Sequence, residues 1–213
     1  MSSLDEIEER LNQVRSDIAD FVQKPEDVRI VAVTKKFEVD QIQVLRDLGL
    51  RDFGENYAQE LRAKAGSFSD VNWHFVGGLQ RNKVKKIADI VSVWHSVSTS
   101  KLLSEIANRC TYPEVFIQVN LTGEPQKSGC SPDEIKLLVD QGVTEGVNVV
   151  GLMVMGPAGG GDPEPVFERA KELTDEFGFG RLSMGMSGDY KVALRHGATD
   201  LRLGEALLGK RQQ

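Results

Sequence analysis

Hydrophobic and polar positions follow two different periods along the chain. Residues 4–22 place apolar side chains at steps of three and four with charged residues between them, which is typical of an amphipathic helix. After Pro25 the pattern changes to short runs rich in valine, isoleucine and aromatic residues, each followed by a segment with helical spacing. The chain is therefore predicted to begin with one helix and to continue as an alternation of strands and helices.

Eight strand-like runs and seven intervening helical segments follow the N-terminal helix. The predicted strands are 28–34, 51–55, 72–76, 90–97, 114–121, 147–155, 181–187 and 200–205. The predicted helices between them are 39–48, 57–65, 82–87, 101–109, 132–141, 163–176 and 189–196. Regular alternation of this kind is the signature of a parallel sheet in an α/β protein.

Eight units indicate a closed (β/α)8 barrel of the TIM type with an extra N-terminal helix. The alternative is a flavodoxin-like open sheet, which needs only about five or six strands. We expect a single domain over residues 1–213, with the N-terminal helix in 1–24 and the barrel in 28–213.

Composition and charge narrow the class of protein. The 213 residues include 26 Lys and Arg against 32 Asp and Glu, which gives a formal net charge of −6. This balance argues against a nucleic-acid partner, because phosphate binding needs clustered basic residues. No run approaches the roughly 18 apolar residues that cross a bilayer, and the N-terminus lacks the apolar core of a signal peptide. The two cysteines and three histidines lack metal-ligand spacing. We expect a cytoplasmic protein with no membrane, nucleic-acid or metal partner.

The residues at the carboxyl ends of the strands are the candidates for chemistry, because these ends surround the active site in such barrels. The first strand ends at Lys35 and Lys36. A desolvated lysine amine can form a Schiff base with an aldehyde, whereas a solvated lysine is only a surface charge. Both interpretations stay open, and strand parity does not tell which lysine points inward. The second strand is followed by Asn56, which is suited either to a ligand contact or to capping the next helix.

The seventh and eighth predicted strands end in small residues. One face of the seventh carries Ser183, Gly185 and Ser187. Ser187 precedes a predicted helix, and in the eighth strand Arg202 and Gly204 share a face before Glu205 begins another helix. A hydroxyl beside free backbone N–H groups at helix starts favours an anion. These two junctions therefore predict a phosphate site.

Six sequence motifs, in order across nearly the whole chain, resemble one known family. They are AVTK at 32–35, FGENY at 53–57, HFVGxLQxNK at 74–83, GLMxMG at 151–156, LSMGMS at 182–187 and RLG at 202–204, where x is a position outside the pattern. The family is that of the pyridoxal phosphate homeostasis proteins, single-domain relatives of the alanine racemase barrel (fold type III). The chain departs from the family pattern at Gly78, where a larger residue such as proline is expected, and at Glu205, where a small hydroxyl residue is usual.

The resemblance implies a cofactor, pyridoxal 5′-phosphate (PLP), and a role for each candidate residue. Lys35 would hold PLP as a Schiff base, and Asn56 would lie near its 3-hydroxyl group. Ser187, with the backbone N–H groups of Gly204 and Glu205, would hold the phosphate.

The resemblance also implies a carrier rather than an enzyme. Arg202 would face the pyridine nitrogen, where its positive charge disfavours the protonated ring that best stabilises carbanions. We further expect no second domain after Gln213, and hence no tyrosine from such a domain, which racemases of this fold use to transfer a second proton. The expected function is buffering or delivery of PLP in vitamin B6 homeostasis, with apo PLP enzymes as possible partners and a monomeric state.

Two enzymatic alternatives remain open. One is a PLP-dependent amino-acid racemase or decarboxylase. The other is a Schiff-base aldolase that acts on a phosphorylated sugar, which needs the same lysine and phosphate site but no cofactor.

Overall fold

The computed structural model describes residues 4–124 and 126–209 and shows a closed parallel barrel. Its eight strands pair in sequence order, and the last closes on the first, where Val31 lies opposite Arg202. The strands are β1 (Arg29–Val33), β2 (Asp52–Glu55), β3 (Asn72–Phe75), β4 (Val91–Val97), β5 (Glu114–Gln118), β6 (Asn148–Met153), β7 (Arg181–Ser183) and β8 (Asp200–Leu203). This confirms the predicted (β/α)8 barrel and excludes the open sheet. Residues 1–3, 125 and 210–213 of the expected domain lie outside the described part.

Helices alternate with the strands on the outside of the barrel. They are α1 (Leu4–Phe21), α2 (Val39–Asp47), α3 (Ala58–Ala65), α4 (Arg81–Val84), α5 (Ser100–Ala107), α6 (Ile135–Glu145), α7 (Glu164–Glu176), α8 (Tyr190–Arg195) and α9 (Glu205–Leu208). The extra helix α1 buries the apolar face that its spacing predicts and packs against α2, α8 and α9. It therefore joins the first and last units of the barrel. None of these described helices is long and apolar enough to span a bilayer.

Two layers of buried side chains lie on opposite sides of the barrel wall. Outward-facing strand residues such as Phe53, Trp94 and Ile117 pack against the helices and form the main core. Inside the barrel a much smaller apolar cluster contains Val93, Phe116 and Met153. The interior also holds buried polar groups, among them His74, His95, Ser183 and Arg202.

The seventh strand is shorter than the sequence predicts. It ends at Ser183, and Gly185 has φ +90°, so the chain leaves the extended conformation before Ser187. A Cβ atom at Gly185 would lie 2.7 Å from the Cβ of Ala193, and the positive φ disfavours other residues as well. The prediction of one continuous strand over 181–187, with its small residues on one face, is therefore wrong. The sixth and eighth strands also end earlier than predicted, at Met153 and Leu203.

Candidate functional site

A cavity of about 290 Å³ lies at the carboxyl ends of the strands. We call it the barrel-mouth cavity. All six residues proposed from the sequence line it: Lys35, Asn56, Ser187, Arg202, Gly204 and Glu205. Its apolar lining comes from Val33, Val76, Met153, Met155 and Met186. Chain segments from opposite ends of the sequence are therefore brought together at one site.

The two lysines after β1 differ in where they point. Lys35 is half-buried and lines the cavity, whereas Lys36 is exposed and does not line it. Lys36 has φ +62°, an uncommon left-handed conformation for a residue other than glycine. Its backbone N–H donates to Glu60 Oε2 at 2.7 Å, which fixes this turn of the chain. The structure thus places Lys35, and not Lys36, in the lining of the cavity.

A buried ionic group holds the same turn from below. Lys64 Nζ donates to Glu55 Oε1 at 2.7 Å, to Glu60 Oε2 at 3.1 Å and to the carbonyl oxygen of Thr34 at 2.8 Å. Thr34 Oγ1 donates to the same Glu55 oxygen at 2.7 Å. We call these four residues the Lys64 cluster. Burial raises the pKa of Glu55, although Lys64 and Thr34 act in the opposite direction. The turn that carries Lys35 is therefore fixed by both backbone and side-chain contacts.

Asn56 presents a buried acceptor that has no protein partner. Its Oδ1 atom makes no hydrogen bond within residues 4–124 and 126–209. Helix α3 takes Tyr57, not Asn56, as its N-cap residue, so the capping interpretation does not hold. The neighbouring chain is close: a Cβ atom at Gly77 would lie 2.3 Å from the backbone oxygen of Asn56. An unpaired buried acceptor costs free energy, and a ligand in the cavity that donates to Asn56 Oδ1 would remove this cost.

The opposite side of the cavity is built mainly from backbone N–H groups. The N–H groups of Gly204 and Ala206 donate to Ser187 Oγ at 3.3 and 3.0 Å. With its oxygen accepting twice, the Ser187 hydroxyl keeps its own hydrogen for another acceptor. Glu205 lies between the two N–H groups and its side chain is exposed. The sequence analysis did not identify Ala206, because it follows the motif and contributes only a backbone atom.

Arg202 lies on the inner wall of the cavity with 5% of its surface exposed. Its Nη1 donates to Ser183 Oγ at 2.7 Å, and its Nη2 donates to the carbonyl oxygen of Val154 at 2.9 Å. Burial lowers the pKa of Arg202 to about 10, while Asp189 and Asp200 oppose this shift. The guanidinium therefore carries its positive charge at neutral pH.

A line of buried hydrogen bonds continues from Arg202 through the barrel interior. Ser183 Oγ lies 2.9 Å from His95 Nδ1, and His95 Nε2 lies 2.9 Å from His74 Nδ1. His74 Nε2 in turn lies 2.9 Å from Asp52 Oδ1. We call these five residues the axial chain. Sequence reasoning treated the histidines as scattered, although His74 and His95 lie on neighbouring strands at positions that face inward.

The arrangement is suited to a phosphorylated aldehyde. An amine at Lys35 can capture an aldehyde, and the Ser187 hydroxyl, whose oxygen accepts from the two flanking N–H groups, can donate its hydrogen to a phosphate. Between them lie the unpaired oxygen of Asn56 and the guanidinium of Arg202. A phosphorylated aromatic aldehyde with a ring hydroxyl and a ring nitrogen would match all four groups.

Comparison with known proteins agrees with this geometry. The family model for the N-terminal domain of alanine racemase matches residues 3–212. A pyridoxal phosphate homeostasis protein from Synechocystis is 36% identical over 203 residues, which cover 88% of this chain and 93% of the relative. A solved structure of PipY from Synechococcus elongatus with PLP bound is 32% identical with a TM-score of 0.84, and it covers 95% of this chain and 100% of PipY.

A more distant likeness concerns the fold alone. Alanine racemase from Clostridium difficile has a TM-score of 0.78 at 13% identity, and the match covers 98% of this chain but 57% of the racemase. The family model and the relatives with 32–36% identity decide the family. The chain belongs to the alanine racemase N-terminal-domain family and, within it, to the pyridoxal phosphate homeostasis proteins.

Proposed function

We propose that this protein binds PLP in the barrel-mouth cavity and acts in PLP homeostasis by buffering or delivering the cofactor, without turning over amino acids. The observation that carries the proposal is that one cavity joins a lysine, a buried acceptor without a partner, a guanidinium and a hydroxyl with flanking N–H groups. The names of the relatives and the PLP-bound structure of PipY support it.

Each side chain has a separate part in holding the cofactor. PLP, when bound, supplies an aldehyde and an electron-withdrawing ring. Lys35 Nζ would bond to the aldehyde carbon with release of water, so that the cofactor is held covalently but reversibly. Ser187 would donate its hydroxyl hydrogen to the phosphate. Asn56 Oδ1 would accept a hydrogen bond from the ring hydroxyl.

Arg202 is the basis for proposing a carrier rather than an enzyme. A guanidinium that faces the ring nitrogen repels a proton there, and the unprotonated ring is the weaker electron sink. Arg202 is buried and held by two hydrogen bonds, so its positive charge is fixed at the inner wall of the cavity. The site would thus favour binding and release over chemistry at Cα.

The proposal extends to partners and location. The recipients of the cofactor would be apo PLP enzymes. The protein itself would be a monomer. The protein and its recipients would reside in the cytoplasm. Sedimentation of the holo-protein measures the oligomeric state. Transfer of cofactor to an apo-enzyme, followed by the gain of that enzyme's activity, measures delivery.

The attachment site is tested with a pair of adjacent lysines. Borohydride reduction of the PLP-loaded protein, followed by peptide mapping, should place the pyridoxyl group on Lys35. Lys35→Ala should lose the visible absorbance of the bound cofactor. Lys36→Ala, changed one residue away at an exposed position, is the matched control and should keep it. Label on Lys36, or full absorbance in Lys35→Ala, would contradict the assignment, and a colourless PLP-treated wild type would contradict PLP binding itself.

The enzymatic alternatives are tested in deuterated water. Holo-protein incubated with each amino acid should show no rapid exchange at Cα, no racemisation and no decarboxylation. Enzyme-like turnover that depends on Lys35 would overturn the carrier proposal in favour of a racemase or decarboxylase. PLP binding itself would exclude the cofactor-free aldolase.

A further inference from the structure

The interior of the barrel contains buried polar groups that PLP binding, as proposed above, does not use. His74 and His95 are both fully buried, and Ser183 beside them is also fully buried. Buried histidines are expensive to charge, and each polar atom needs a hydrogen-bond partner. The axial chain supplies these partners in a single file from Asp52 to Arg202.

The two ends of the axial chain determine its direction. Arg202 can only donate, so Ser183 Oγ accepts from it and has its own hydrogen left for His95 Nδ1. The Asp52 carboxylate can only accept, so His74 Nε2 carries a hydrogen and donates to it. A neutral His74 then has an accepting Nδ1, which requires a hydrogen on His95 Nε2. Every hydrogen bond therefore points away from Arg202 and towards Asp52, and both histidines are Nε2–H tautomers.

The surroundings keep both histidines neutral, as this direction requires. Burial lowers the pKa of His74, although Asp52 and Asp200 oppose the shift and Arg29 adds to it. Burial also lowers the pKa of His95 well below its usual range. An added proton on His95 would in addition face the positive charges of Arg202, Arg181 and Arg29. Asp52 meanwhile stays ionised: burial alone would raise its pKa, but His74 and Arg29 hold it below its usual value.

We propose that Ser183, His95, His74 and Asp52 are positioning residues that hold the Arg202 guanidinium in one orientation towards the bound cofactor. The role in cofactor binding rests on the proposed function, whereas the direction of the axial chain does not. An arginine side chain has many rotamers, and fixing it before binding lowers the entropy lost on binding. Ser183 would act through Arg202 and not through its own contact with PLP.

The direction is tested on the protein without cofactor. The sequence contains three histidines, so 15N NMR of histidine-labelled protein gives three ring systems. His196, which lies on the outside beside Glu164, serves as the internal reference. The rings of His74 and His95 should each show a proton on Nε2 and none on Nδ1, unchanged between pH 8 and 6. A proton on Nδ1 of either ring, or a charged imidazolium, would overturn the proposed direction.

The positioning role is tested by a double-mutant cycle on PLP affinity. Ser183→Ala removes one link and should weaken PLP binding about two- to ten-fold, the effect expected for one hydrogen bond. In an Arg202→Met background the same substitution should change affinity less than about two-fold, because the group it positions is gone. Equal losses in both backgrounds would overturn the role of Ser183 as a positioning residue.

A nearby serine provides the matched control. Ser96 on β4 is also buried, and its hydroxyl has no partner within the described residues. Ser96→Ala should leave PLP affinity unchanged, and urea unfolding of each variant reports on the fold. A loss of affinity in Ser96→Ala equal to that in Ser183→Ala would attribute the effect to general packing and overturn the proposal. Failure of the wild type to bind PLP would refute the proposed function, while the NMR result would still decide the direction of the chain.

Discussion

The two sides of the barrel-mouth cavity hold their cationic groups in different ways. On the amine side, at the ends of β1 and β2, Lys35 lies on a turn that the Lys64 cluster fixes with ion pairs of the buried Lys64. On the anion side, at the ends of β7 and β8, Arg202 is held by neutral groups, and the candidate phosphate donor is the Ser187 hydroxyl, which accepts hydrogen bonds from two backbone N–H groups.

The difference follows from the distance to solvent. Lys64 projects from helix α3 between the barrel wall and the surface, where its 9% exposed side chain can pair with a partly exposed carboxylate, Glu60. Arg202 lies inside the barrel, where a direct carboxylate partner would have to be desolvated as well. There the carboxylates of Asp189 and Asp200 act on its charge without being its hydrogen-bond partners among the described residues. We therefore expect the amine side to depend on one ion pair, and the anion side on several weaker contacts.

Breaking the ion pair of the amine side should have the largest effect. Lys64→Met leaves the fully buried Glu55 without its countercharge, and removal of one partner of a buried pair costs about 3–5 kcal/mol of unfolding free energy. Urea unfolding measures this loss. Adding Glu55→Gln to Lys64→Met should recover much of it, because no uncompensated charge remains.

The exposed pair of Lys136 and Asp140 on α6 is the control for the previous variant. Its side chains are 74% and 62% exposed, so Lys136→Met should change stability little. A loss in Lys64→Met no greater than in Lys136→Met would show that the Lys64 cluster does not hold the amine side.

Removing the Ser187 hydroxyl from the anion side should have a smaller effect, and it should weaken the binding of the phosphorylated ligand only. Ser187→Ala removes a hydrogen bond to a charged phosphate, worth about 1.5–3 kcal/mol. PLP affinity, measured by titration of its absorbance, should fall roughly ten- to a hundred-fold. Unphosphorylated pyridoxal should bind the variant and the wild type almost equally. Equal losses for both ligands would mean that Ser187 does not contact the phosphate.

Acid should act on the two sides with opposite signs. On the anion side burial lowers the pKa values of His74 and His95. As the pH falls, the unfolded chain therefore binds protons at these two histidines before the folded protein does. Their contribution to stability is complete above the unfolded pKa of about 6.5 and falls below it, by at most about 1.4 kcal/mol per pH unit for each histidine. On the amine side the raised pKa of Glu55 means that its contribution is present at low pH and is lost as pH rises through that pKa.

Urea unfolding at pH 7.5, 6.5 and 5.5 separates these two contributions. Wild-type stability should decline towards pH 5.5, and comparison with Glu55→Gln shows how far the carboxyl group opposes this decline. Constant stability across this range would argue that the histidines are not held neutral in the folded protein.

The smallest expected effect concerns the charge at the rim of the anion side. Glu205 is exposed beside the candidate phosphate site, and repulsion between charges in water is weak. Glu205→Gln should tighten PLP binding by about two- to five-fold at low ionic strength, and salt should remove the difference. An effect that persists in high salt would point to a direct contact of the side chain rather than to repulsion.

Much of the site was predictable because its residues lie at the ends of recognisable strands. A strand end at Lys35 or at Arg202 and Gly204 follows from hydrophobic runs of a few residues, and the barrel brings such ends to one face. The prediction failed where local geometry departs from a regular strand. Gly185, which has a positive φ, turns the chain after Ser183. The alternation of polar and apolar residues in this segment does not indicate such a turn.

The sequence by itself determined the order of strands and helices, the closure into a barrel and the set of residues at its mouth, because each depends on periodicities that repeat within a few residues. Tertiary structure decided which inward-facing side chains meet. His95 and Ser183, which form a hydrogen bond, are 88 residues apart in the chain. Lys64 lies four residues after Glu60, a spacing that in the sequence alone is typical of a surface ion pair on a helix. Contacts of this kind depend on how far each strand is shifted along its neighbour and on the tilt of the strands around the barrel. These quantities are set by the packing of the whole sheet, and no short segment of the chain encodes them.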